Sequence, residues 1–198
     1  MSGLQVTSDD VGGRSHVWKL APLDPAGAAK AARQIGHPWY RCQALSRAAE
    51  FHDGAKRLRL LDLALHAARE QSEPNRIVKV SSWPMRVLAG CASDRAEQAI
   101  HELIEIAASE PHNLRRANAL QALAASVQGS PALLSLVVPE LPAAILGGGG
   151  RRMDRVIRDT FELVRMSNPE LLHRLALHHK ANRQQERLLA TLRSVAHE

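Results

Sequence analysis

The sequence predicts an all-α protein built from a repeated helix pair, and three observations lead there. Hydrophobic residues make up 45% of the chain and aromatics only 3%, with the apolar content dominated by Ala and Leu. Those two are strong helix formers, whereas β-branched and aromatic residues favour strands. A helix start beside an arginine also recurs. It stands as His37-Pro38-Trp39-Tyr40-Arg41-Cys42-Gln43-Ala44-Leu45, Ser82-Trp83-Pro84-Met85-Arg86-Val87-Leu88-Ala89-Gly90, Asn113-Leu114-Arg115-Arg116-Ala117-Asn118-Ala119-Leu120 and Arg151-Arg152-Met153-Asp154-Arg155-Val156-Ile157. Finally, the pairs begin near residues 38, 74, 112 and 151. A helix pair repeating at roughly 35 to 45 residues is the pattern of an α-solenoid.

Residues 1–22 read as a flexible tail, because Gly12, Gly13 and Ser15 break structure, although Val17, Trp18 and Leu20 can dock on the body. Residues 23–198 read as one α-solenoid domain. Asp24-Pro25 supplies an N-cap and a proline at the first helical position, and that helix runs to about Ile35 and stops at Gly36. The first pair opens with a helix over 38–51 whose inward residues are Tyr40, Ala44, Leu45, Ala48 and Phe51. Asp53-Gly54 turns the chain into a second helix reaching about Gln71, with Leu58, Leu61, Leu65 and Ala68 on one stripe.

The second pair starts at Glu73-Pro74. An interior proline lacks a backbone donor and clashes with the preceding turn, so this helix is expected to split or bend at Trp83-Pro84. Its partner runs from an Asp94 N-cap to about Ser109, with Ile100, Leu103, Ile104 and Ala107 inward. The third pair begins at Glu110-Pro111, packs Leu114, Ala117, Leu120, Ala124 and Val127, and stops at Gly129. Ser130-Pro131 starts the next helix, which Pro139 and Pro142 should kink or divide. The glycine run 147–150 is a break and a candidate hinge. The fourth pair covers about 151–166 and then Asn168-Pro169 to about 179. A basic stretch over 180–195 continues the helix or restarts it after a bend near Asn182.

Over about residues 38–180 this pattern resembles the HEAT-like helical repeat families. The shared features are a proline near the head of the first helix, an arginine beside it and the Ala/Leu spacing of Arg41-Cys42-Gln43-Ala44-Leu45 and Arg116-Ala117-Asn118-Ala119-Leu120. The resemblance implies an α-α superhelix of about four antiparallel pairs with a concave binding face. It further implies a scaffold, adaptor or inhibitor more often than an enzyme.

Charge bears on the partner. The chain carries a formal net charge of +6 and a pI of about 10.0, and Arg outnumbers Lys. A guanidinium fork suits carboxylates and phosphates, although solvated helix faces account for the same excess. Arg151, Arg155 and Arg158 share one helix face by spacing, with Asp154–Arg158 and Asp159–Arg155 pairing as the structural alternative. Trp39 with Arg41 and Trp83 with Arg86 form either a binding surface or ring-filled joints topped by arginine.

Other chemistry finds no pattern. The glycines before Arg151 lack a preceding strand and a Lys-Ser/Thr, so they form no P-loop. His101-Glu102-Leu103-Ile104-Glu105 lacks the second histidine of a zinc helix, and Cys42 and Cys91 stand apart on apolar faces where they act as small hydrophobes. No metal, no cofactor and no catalytic residue is therefore expected. The two isolated cysteines fit a reducing, cytoplasmic setting; the polar N-terminus does not read as a signal peptide, and no apolar run is long enough to span a membrane.

The expectation is a non-catalytic solenoid that binds an acidic protein through a concave face bearing Arg41, Arg86, Arg116, Arg151, Arg155, Arg158, Trp39 and Trp83. An immunity-type inhibitor or an adaptor suits this form. The alternative is a nucleic-acid-binding repeat protein with a basic groove on phosphates, and the third class is an enzyme grafted on the same scaffold.

Overall fold

The computed structural model describes residues 5–164 and 169–195, and among these the chain is helical with no strand. The chain opens with α1 (Ser8–Leu20) and α2 (Pro25–Arg33). It continues through α3 (Pro38–Ala49), α4 (Gly54–Arg69), α5 (Pro74–Ala89), α6 (Ser93–Ala108) and α7 (Asn113–Ser126). Then come α8 (Pro131–Val137), a 3-10 turn (Val138–Glu140), α9 (Leu141–Leu146), α10 (Arg151–Val164), α11 (Pro169–His178) and α12 (Arg183–Val195).

Most starts follow from local chemistry. Asp24 accepts from the Gly27 N–H at 2.9 Å, with Pro25 at the first helical position. Ser130 caps α8 ahead of Pro131, and Asn182 accepts from the N–H groups of Gln184 and Gln185 ahead of α12. The prolines divide α8 from α9 as their spacing implies. Gly54 has a φ of 51°, a left-handed backbone open to glycine and strained for residues with a Cβ, and this lets the chain turn from α3 into α4.

Neighbouring helices pack together. α3 touches α1, α2, α4 and α5; α5 touches α6 and α7; α7 touches α8, α9 and α10; α11 touches α10 and α12. The core between them is rich in alanine: Ala44, Ala48 and Ala49 of α3, Ala64, Ala67 and Ala68 of α4, Ala117, Ala119 and Ala124 of α7. Small side chains let the backbones approach, and Leu45, Leu60, Leu61, Ile100, Leu123 and Phe161 fill the remaining space. Ion pairs cross the helices at sequence separations of 29 to 33 residues: Arg41–Glu70, Arg69–Glu102 and Arg95–Asp62.

Several expectations need correction. Residues 8–20 are no flexible tail but α1, started by a reciprocal capping box in which Thr7 accepts from the Asp10 N–H while Asp10 accepts from the Thr7 N–H. The α6 start is Ser93, and Asp94 makes no cap. Phe51 lies past the end of α3 and is exposed. Cys91 follows α5 and is exposed, so only Cys42 matches the buried-hydrophobe reading. The candidate hinge over 147–150 is neither upheld nor overturned by its contacts: Asn113 Nδ2 donates to the Gly147 carbonyl at 2.6 Å, and His178 Nε2 lies 2.7 Å from the Gly148 carbonyl.

Helix α5 is not split at Pro84; it runs uninterrupted to Ala89. The proline deprives the Val80 carbonyl of its helical donor. Cys42 of α3 supplies a replacement, its Sγ lying 3.5 Å from that oxygen. Complete burial pushes the Cys42 thiol well above its ordinary range, so it remains S–H and can donate.

Two predictions follow from these contacts. Cys42→Ala should destabilise the protein in urea, and the cost should fall by about 1 kcal/mol when combined with Pro84→Ala, whose N–H can take the same carbonyl. Equal costs in both backgrounds would show that the thiol is not the replacement donor. The second concerns Asp10, whose carboxylate also accepts from the His37 N–H at 2.8 Å and the Thr7 hydroxyl at 2.7 Å. These donors, the His37 N–H first, hold its pKa down at about 2 from 3.8. The unfolded chain therefore binds the proton first, so this stabilisation is full above the unfolded value and is lost as pH falls through the folded one. Asp10→Asn should lower the urea midpoint at neutral pH, and the gap to wild type should close toward pH 2.

Candidate functional site

The chain has three Trp, one Tyr and two Phe, and all but Phe161 gather where α1, α3 and α5 meet. Trp18 comes from α1, Trp39 and Tyr40 from the head of α3, Phe51 from just beyond its end, and Trp83 from α5. His37 sets the start of α3: its Nδ1 accepts from the Trp39 N–H at 3.2 Å, and its ring meets Tyr40 edge-on at 5.5 Å. One turn later stands Gln43, only 5% exposed. Two indole N–H groups face its amide, so its oxygen lies between them, accepting from Trp39 Nε1 at 3.0 Å and Trp83 Nε1 at 3.2 Å. Trp18 meets Trp83 edge to face, with centroids 5.3 Å apart and planes at 83°.

Arginines cover this cluster. Arg14 lies 5.6 Å from the centre of the Tyr40 ring, and Arg86 lies 5.4 Å from that of Trp83. Arg47 reaches both Trp18, at 5.8 Å, and Phe51, at 4.6 Å. Glu50 neutralises two of them, pairing with Arg86 at 2.7 Å and with Arg47. Between α1 and α5 opens a groove of about 450 Å³ lined by Arg14, Ser15, Trp18, Lys19 and Trp83. Its lining contains no carboxylate, and neither Arg14 nor Lys19 has an ion-pair partner among the described residues.

The residues expected on one face divide into several groups. Trp39, Trp83 and Arg86 meet in the cluster. Arg41 is a clamp instead: it donates to the carbonyls of Ile35 and Gly36, at 3.1 and 2.9 Å, and pairs with Glu70 at the end of α4. Arg116 donates to Asn113 Oδ1 at 2.7 Å within the first turn of α7. Arg151, Arg155 and Arg158 lie on α10, where Arg155 approaches Asp159 at 3.8 Å. Asp154 is buried and does not pair with Arg158; it accepts from the Lys180 N–H at 3.2 Å.

Sequence reasoning missed Arg14, Tyr40, Gln43 and Arg47 as members of the cluster and placed Trp18 in the tail. One signal was available. Thr7-Ser8-Asp9-Asp10 has the spacing of a capping box, and the helix it starts puts Arg14 and Trp18 on one face, four residues apart. No signal along the chain pairs Gln43 with Trp83, because that contact crosses helices.

Among the described residues no group of three His, Cys, Asp or Glu could hold a metal ion, and no helix is long and apolar enough to cross a membrane. No family model, curated protein or solved structure matches the chain.

The joint at Gln43 can be tested directly. Gln43→Met keeps the volume but removes the acceptor shared by two indoles, so it should destabilise the protein by about 2 kcal/mol in urea denaturation. A variant as stable as wild type would show that the indoles need no internal acceptor.

Proposed function

We propose that this chain is a non-catalytic binding module that engages an acidic protein through the aromatic and arginine cluster on α1, α3 and α5. The observation that carries this reading is the concentration of scarce aromatics at one place, with Arg14, Arg47 and Arg86 laid over their rings. Trp, Tyr and Arg are the residues most enriched where binding energy concentrates, and a guanidinium joins a carboxylate through charge-assisted hydrogen bonds. The scaffold we propose is an α-α superhelix of about four helix pairs, similar to HEAT-like repeats. Successive contacts of α1 with α3, α3 with α5 and α5 with α7 support it, as do the ion pairs between neighbouring pairs. Such a module acts by occlusion or bridging, as an inhibitor or adaptor, in a cytoplasmic setting.

A second reading, nucleic-acid binding, draws on α10. Arg151, Arg152 and Arg158 have no ion-pair partner among the described residues, and the Arg155 side chain is 78% exposed. A phosphate track built on them would weaken steeply with salt.

Capture from a native extract separates the two. The tagged protein should retain a discrete protein after nuclease treatment, and Arg47→Ala with Arg86→Ala should release it while the melting temperature falls by only a few degrees. Loss of the captured material on nuclease treatment, or equal capture by the variant, would overturn the proposal.

A further inference from the structure

We infer that the groove between α1 and α5 receives a carboxylate side chain from a short acidic and apolar segment of a protein partner. This rests on the reading of the chain as a protein-binding module and assigns that module a subsite and a ligand chemistry.

The charged side chains lining the groove, Arg14 and Lys19, are both cations. Arg14 and Lys19 bring two positive charges that no acid among the described residues neutralises. The Ser15 hydroxyl spends its only proton on the Val11 carbonyl at 2.9 Å, so the cations and not this hydroxyl would hold an anion. The indole N–H of Trp18 has no acceptor among the described residues, whereas those of Trp39 and Trp83 are both taken by Gln43. Two cations without an acid partner, beside a tryptophan wall, call for an anion attached to something apolar; Arg14 Nη1 otherwise meets only the Gln43 side-chain amide, 3.4 Å away. The volume of about 450 Å³ suits a few side chains rather than a whole domain.

The anion is better met by a peptide carboxylate than by a nucleic acid. Base stacking needs free ring faces, ideally in parallel. Here Trp18 and Trp83 meet at 83°, and guanidinium groups already lie over them, Arg47 at 5.8 Å and Arg86 at 5.4 Å. Glu50, bound to both of those arginines, puts a negative charge beside the cluster and interrupts any phosphate track. A peptide needs neither feature: its carboxylate takes Arg14 and Lys19, and an adjacent leucine or phenylalanine packs on exposed ring edges.

The test is selection of a displayed library of about 12-residue peptides on the intact protein, followed by tryptophan fluorescence titration of the best synthetic peptide. Selected sequences should be enriched in Asp or Glu next to an apolar residue. Arg14→Gln with Lys19→Gln should weaken binding about tenfold. Lys30→Gln with Lys56→Gln, outside the groove, should leave it unchanged. Replacing the peptide's acids by amides should cost wild type a similar factor and the double variant little more. Selection without acidic enrichment, undiminished binding to the Arg14/Lys19 variant, or displacement of the peptide by an oligothymidylate of about 12 nucleotides at lower concentration would overturn the inference. Should the Arg14/Lys19 variant still capture a protein that the Arg47/Arg86 variant loses, the binding-module reading stands and the groove assignment fails.

Discussion

An interior proline imposes the constraint on which the α3–α5 seam depends. Pro84 leaves the Val80 carbonyl inside α5 without a donor, and a buried unpaired carbonyl is costly. The donor comes from α3, through the Cys42 thiol, and this fixes how far α3 can slide along α5. Gln43 follows Cys42 on one helix, and Trp83 stands three residues after Val80, nearly one turn on, along the other. The register that lets Cys42 reach Val80 is therefore the register that brings the Trp83 indole to the Gln43 amide, 3.2 Å away. One backbone defect and its repair thus place the aromatic cluster. Trp39 completes the joint from the turn before Gln43, and Trp18 closes it from α1.

Electrostatics then decides which of the many arginines are available. Several are consumed in holding helices together: Arg41 by Glu70 and two carbonyls, Arg69 by Glu102, Arg95 by Asp62. Exposed pairs of this kind add little stability individually, but they do remove charge from the surface. What is left over is uneven. Among the cations with no ion pair between described residues, Arg14 and Lys19 sit together at the aromatic groove and Arg151, Arg152 and Arg158 on α10, while others, such as Lys30, Arg59 and Lys79, stand elsewhere. The formal net charge of +6 says nothing of this division. It arises because acids and bases on neighbouring helices find one another at separations that only the packed structure sets.

The same distinction explains what could be read from the sequence. Helix starts were legible wherever a capping residue precedes a proline, as at Asp24-Pro25 and Ser130-Pro131, because that chemistry is local. Helix α1 was not, since Gly12 and Gly13 weaken it; tertiary contacts overcome them, through Trp18 on Trp83 and through Asp10, which joins the start of α1 to the start of α3. Of the split or bend expected at Pro84, the split does not occur for the same reason, the proline's penalty being met from another helix. Of the site, Trp39, Trp83 and Arg86 were legible as residue types suited to binding. Arg41 looked equivalent to Arg86 along the chain, yet one clamps a loop and the other lies over a ring. Nothing in the local pattern separates them.

Structural and binding roles need not compete at the cluster. The inner edges of the rings serve the joint, where Gln43 satisfies two indoles and the Trp18–Trp83 contact ties α1 to α5. The guanidinium groups lie over the rings and are held there, Arg47 between Trp18 and Phe51, Arg86 between Trp83 and Glu50. A long side chain that is already confined loses less entropy when a ligand arrives, so its contacts contribute more to affinity. Arg14 gains the same advantage from Tyr40 without having its charge neutralised. On the proposed reading, the packing that stabilises the fold also prepares a cation for an acidic partner, and the gathering of the aromatics other than Phe161 confines that preparation to this junction.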